Sequence, residues 1–246
     1  MDTVVENVIG LTAPHSLRIL LSSLPEIQEI RVARCTPLPP IQSRLNLTAS
    51  ERDVVDNALA LRERSGLSFW DAALLQLPAN PDAIRLLDAA MMHVSLRGHE
   101  HSLSSLDVKA GVLESMCAQF SENDDANLTV LSEVLCRDGL VRHLPMVDFH
   151  ALKSPENRRI VEAVSERLLP GRVILMDSGE SYHAYGTQLL SEESLRQFLG
   201  RALLFVPVID RAYVAHQLIE GRCALRLTSG GGKSQVPEVV AVLRGK

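Results

Sequence analysis

The chain has 246 residues, 46% hydrophobic and 22% charged, with a formal net charge of -5. That length can bury a substantial core, as one large domain or two small ones, and the composition excludes a disordered chain. The negative charge argues against a protein that coats itself in nucleic acid, and aromatic residues at 4% leave few platforms for base stacking.

In chain order, PHSLRILLSSL (14–24) reads as a helix. EIQEIRVARC (26–35), with Ile27, Ile30 and Val32, suits a strand or a ragged edge. TPLPPIQ stops regular structure, and Thr48-Ala-Ser-Glu51 then fits a capping box ahead of a helix burying Val54, Val55, Ala58 and Leu59 and ending at Gly66. A second helix starts at Ser68. DAIRLLDAAMMHV, LDVKAGVLESMCAQF and ANLTVLSEVLC read as three more. From PMVDF onward the texture changes: PMVDF and RVILM are strands, SPENRRIVEAVSERLL is a helix capped by Ser154, SEESLRQFLGRALL and DRAYVAHQLIEG are helices, and CALRLT and VPEVVAVL are strands. The predicted organisation is α+β: an N-terminal α/β segment at 1–46, a mostly helical module at 47–144 and an α/β module at 145–246. From Asp148 onward lie 13 of the 25 basic and 11 of the 30 acidic residues, so the acidity belongs to the earlier part. An acidic helical module of this kind suits docking to a basic protein partner.

The four cysteines, Cys35, Cys117, Cys136 and Cys223, form no CxxC pair and have no histidine at zinc-ligand spacing. They read as buried free thiols of a reducing compartment. The leading MDTVVENVIG carries no basic segment, and no run approaches the roughly 20 apolar residues of a membrane span, so a cytoplasmic protein is expected. GGGKS near the end lacks the P-loop's first glycine, Leu227 standing there, and is followed by Pro237 and a β-type run. It reads as a mobile loop, with Lys233 available to a phosphate. His99-Glu100-His101, with His93 nearby, lacks the spacing that puts two imidazoles on one helical face and reads as a solvated loop.

Asp148 with His150, Ser181 with His183, and Asp210 with Arg211 and His216 all fall at strand ends or helix starts of the last module, where such sheets bind ligands. Singly, Asp148 could cap a turn, His183 could be a half-buried imidazole and Asp210 an ordinary helix cap. Together, MVDFH (146–150), SGESYHAYG (178–186) and PVIDRAYVAHQLIEGRCALRLT (207–228) resemble the archaeo-eukaryotic primase and primase-polymerase superfamily over the C-terminal part. The resemblance implies a small RRM-like catalytic module that binds nucleoside triphosphate and nucleic acid. It implies that Asp148 and Asp210 are catalytic and ligate a divalent cation, Mn²⁺ or Mg²⁺. It also implies that Ser181 and His183 bond the triphosphate while Arg211, Arg226 or Lys233 adds positive charge. One position departs: the family's first motif is two Asp residues one apart, and His150 holds the second place as catalytic residue and metal ligand. Imidazole suits Mn²⁺ better than Mg²⁺, and Asp177 or Glu180 could compensate. Two functions follow, a metal-dependent nucleotidyltransferase that makes or extends a nucleic-acid strand, or a degenerate module that binds nucleotide or nucleic-acid ends within a larger complex. A hydrolase built on Ser181 and His183 is disfavoured, since no GxSxG elbow is present.

Overall fold

The computed structural model describes residues 8–92 and 94–245; the first seven residues, His93 and Lys246 lie outside them. The elements in chain order are α1 (Ala13–Ser22), β1 (Ile27–Cys35), α2 (Ile41–Arg44), α3 (Ala49–Ser65), α4 (Phe69–Gln76), α5 (Leu86–Ala90), β2 (Glu100–Ser104), α6 (Ser105–Lys109), α7 (Val112–Cys117), β3 (Asn127–Cys136), β4 (Val141–His143), β5 (Met146–Asp148), α8 (Pro155–Leu168), β6 (Arg172–Asp177), β7 (Tyr182–Gly186), α9 (Glu192–Ala202), α10 (Arg211–Glu220), β8 (Ala224–Arg226) and β9 (Glu238–Arg244). The architecture is α+β, in two compact units: Met1–Thr36 with Ser95–Lys246, and Pro37–Val94. Among the described residues no helix is long and apolar enough to cross a membrane.

The unit at 37–94 is helical. Thr48 and Glu51 form the expected capping box, and α3 ends at Gly66 with φ 69°. Val54, Val55 and Ala58 pack with Ala72, Ala73 and Leu86. Glu51 is 1% exposed and bonded to Arg85. Burial pushes its carboxyl up, but the bonds from Arg85 and Thr48 outweigh burial and hold it below the ordinary glutamate value. Glu51→Ala is therefore expected to cost about 1–2 kcal/mol in urea unfolding at pH 7. Because the native pKa is depressed, this contribution is present above the ordinary glutamate range and disappears as pH falls through the native value. The two proteins should converge in acid.

The other unit holds two antiparallel sheets, one ordered β2-β1-β3-β4 with β8 also paired to β3, the other ordered β5-β7-β6-β9. β4 and β8 share one edge of β3, β8 along Thr129–Leu131 and β4 along Glu133–Leu135. Here the helix expected at ANLTVLSEVLC is corrected: it is β3, the central strand. Flanked on both edges and buried on both faces, it carries a nearly continuous apolar run that has no period of its own, and its β-branched Thr129, Val130 and Val134 favour the pleat. The stretch at Glu100-His101 is likewise strand β2 rather than a loop. LDVKAGVLESMCAQF is two short helices, broken where Gly111 takes φ 83°.

In the second sheet, α8 covers the face bearing Tyr182 and Asp177, with Lys153 bonded to Asp177 at 2.5 Å. The opposite face carries His183 and Tyr185 and looks towards β8. GGGKS forms a hydrogen-bonded turn. Residues 230–233 close a tight turn through Gly230 N–H to Lys233 O (2.8 Å), and Gly231 N–H donates to Asp124 O (2.8 Å). Three successive glycines with positive φ make that path accessible.

Candidate functional site

The site is a row across neighbouring strands. β5 pairs with β7 so that Asp148 lies opposite His183, whose Nε2 is 3.4 Å from Asp148 Oδ1. On the other side of β5, Asp210 N–H donates to Asp148 O (3.1 Å) and His150 N–H to Val208 O (2.9 Å) around the Phe149–Ile209 bridge. That ladder sets Asp210 directly opposite Asp148, on the same face. Asp210, Asp148 and His183 are thus adjacent positions of one pleated surface, although 62 residues separate Asp148 from Asp210 in the chain. Asp210 also caps α10, its Oδ1 accepting from Tyr213 N–H at 3.0 Å.

The row has a distinct electrostatic character. Burial and then the neighbouring Asp210 carboxylate push Asp148 up to about 8, against the pull of Lys233 and Arg226. One side of the Asp148 side chain remains open, at 31% exposure. Burial first, then Arg226 and Lys233, depress His183 to about 3. Near neutral pH the imidazole is uncharged and Asp148 holds a proton, a state that an arriving cation would reverse for Asp148.

Two cations flank the row. Arg226 donates through Nη1 to Thr228 O and Gln235 O, both 2.5 Å, and through Nη2 to Ser178 O at 2.7 Å. Lys233 pairs with Glu180 at 3.0 Å. Residues 178–180 and 232–235 line a cleft of about 210 Å³ between the β6–β7 turn and the glycine turn.

The other anticipated residues take separate positions. The Ser181 hydroxyl lies 2.6 Å from Phe149 O and 2.7 Å from Ala151 O, and ties the start of β7 to the segment leaving β5. His150 follows β5 opposite Val208, on the Asp148 side by strand alternation. Arg211 opens α10 directly after Asp210. Asp177 does not join the carboxylates: it lies on the α8 face, bonded to Lys153 and to Gly179 N–H. Sequence reasoning missed Arg222, whose side chain is 5% exposed between Glu100 (2.6 Å) and Glu133 (2.9 Å) and which anchors the lead into β8. Only the odd burial of charge in a GRC turn hints at it.

Among the described residues no group of three or more His, Cys, Asp or Glu converges on a metal position. The Asp148–Asp210 pair nevertheless suits a hard divalent cation of the kind held by one or two carboxylates together with substrate phosphates, since a cation would relieve the repulsion that raises Asp148.

An antiparallel sheet bearing two carboxylates and an imidazole in one row beside two cations places the protein in a class of α+β proteins with a largely buried polar site. The chain belongs to the archaeo-eukaryotic primase 1D-like family, whose family model matches residues 105–238. No curated protein and no solved structure matches the chain.

Proposed function

We propose that the protein is a primase-like nucleotidyltransferase that uses nucleoside triphosphate and a divalent cation to make or extend a nucleic-acid strand. The observation that carries this reading is the alignment of Asp210, Asp148 and His183 in one row beside Arg226 and Lys233. Asp148 and Asp210 would hold the cation, which when bound neutralises charge on the triphosphate and at the leaving group. Lys233 and His183 would meet phosphate oxygens, with Arg226 adding positive charge beside them. Ser181 supports His183 by fastening β7 to the end of β5.

The test is triphosphate consumption on primed and unprimed templates with Mn²⁺ or Mg²⁺, paired with calorimetric titration of the nucleotide. Asp210→Ala should abolish turnover with either metal, and His183→Ala should weaken nucleotide binding. His150→Asp should shift the preference from manganese towards magnesium by about tenfold, because an oxygen ligand replaces a nitrogen.

A second reading is favoured by His150 itself, which leaves the row with two carboxylates. It is a module that binds nucleotide or nucleic-acid ends without turnover, as a subunit of a larger assembly. Nucleotide binding weakened by His183→Ala, with no triphosphate consumed under any divalent ion, selects it over the enzyme.

A further inference from the structure

The two walls of the cleft are contributed by segments far apart in the chain, the turn at 178–180 and the glycine turn at 232–235. Arg226 reaches both. Its Nη2 holds Ser178 O on one wall, while both protons of Nη1 are committed to Thr228 O and Gln235 O, which bracket the glycine turn on the other. These acceptors are neutral backbone carbonyls, and those of Thr228 and Ser178 lie in a part-buried setting where they need donors of their own. A planar guanidinium supplies donors from separate nitrogens in a fixed fork, whereas the three donors of an ammonium radiate from one nitrogen and span a shorter distance. On its far side the glycine turn is held independently, by Gly231 N–H on Asp124 O. The turn that carries Lys233 is therefore fastened at its back and drawn forward by Arg226.

We propose that Arg226 is a positioning residue that sets the width of the cleft by holding its two walls together, and so places Lys233 for an incoming phosphate. The phosphate part of this inference rests on the triphosphate reading of the site; the fastening of the walls does not. Arg226 then contributes less as a direct phosphate ligand than as a brace, because most of its donors are already engaged.

The experiment is amide hydrogen exchange on the ligand-free full chain, comparing wild type with Arg226→Gln and Arg226→Lys, followed by titration with a nucleoside triphosphate. Ser178 N–H, bonded to Ser181 O, and Gly230 N–H, bonded to Lys233 O, report on the two walls. Exchange in both walls should rise about tenfold in Arg226→Gln, with α8 and α9 unchanged. Triphosphate affinity should fall about tenfold, and Arg226→Lys should recover only part of each effect, since charge returns without the span. Unchanged exchange in both walls overturns the brace. So does an Arg226→Lys protein that matches wild type in exchange and affinity, which would make Arg226 a plain cation. A wild type that binds no triphosphate removes the functional reading while the exchange data still decide the brace. If Arg226→Gln does not fold, Arg226→Lys carries both measurements.

Discussion

In thermal melts followed from pH 5 to 8.5, Asp148→Asn is expected to be more stable than wild type at the alkaline end and, under the proposed function, to lose nucleotidyl transfer by about three orders of magnitude. The loss of activity follows from removing one of two carboxylates in the row. The gain in stability follows from linkage. The folded protein binds the Asp148 proton up to about pH 8, whereas the unfolded chain releases it near the ordinary aspartate value of 3.8. Between those values the native state holds the extra proton, so stability falls as pH rises through that window. His183 works in the other direction: its native value is about 3 against 6.5 unfolded, so its contribution rises with pH between those values. The two slopes offset below pH 6.5, and above it Asp148 acts alone. After allowance for the open side of the carboxylate, the advantage of Asp148→Asn at pH 8 should be about 1–2 kcal/mol. Saturating Mn²⁺ should raise the melting temperature of wild type and leave the variant unmoved. A stability difference that stays flat across the pH range would sink this account of the row.

Gly230→Ala should be the most destabilising small substitution in the glycine turn, costing about 3 kcal/mol in urea unfolding. The backbone there has φ 97°, and an added Cβ would stand 2.2 Å from Ala126 O and 3.0 Å from Ser121 O. Both obstacles are backbone atoms, so neither can swing aside. Gly232→Ala provides the control. It shares the positive φ, at 80°, but has nothing within 4 Å of the new carbon, and should cost about 1 kcal/mol. Equal effects at the two positions would show that backbone strain alone, and not docking against residues 121–126, governs the turn.

Much of the fold was readable from local chemistry. Thr48 with Glu51, Ser68, Ser154 and Asp210 mark helix starts by hydroxyls or carboxylates that accept from the first turn, and each such cap is present. In the second sheet β5, β6 and β9 were readable because short apolar runs are bounded by polar turns there, whereas β7, with His183 inside YHAYG, has no such run and reads as a turn. β3 was not, because a strand buried on both faces loses the alternation that announces it. The carboxylates and histidine could be listed in order, but their adjacency depends on which strands pair, a long-range fact that no local window contains. The same limit hid the bonds of Arg226 to Ser178 and Gln235 and the burial of Arg222 between two glutamates.

The Ser181 hydroxyl, its one proton facing the carbonyls of both Phe149 and Ala151, bears on the pleat itself. Since side chains alternate at every residue, a slip of β7 by one position would turn Tyr182 and Ala184 towards the carboxylates and carry His183 beneath α8. With its hydroxyl against the carbonyls of Phe149 and Ala151, Ser181 opposes that slip at the point where β7 begins. The interval of two between this serine and His183 is one full repeat of the strand. It works as a ruler, fixing the imidazole opposite Asp148 before any ligand arrives.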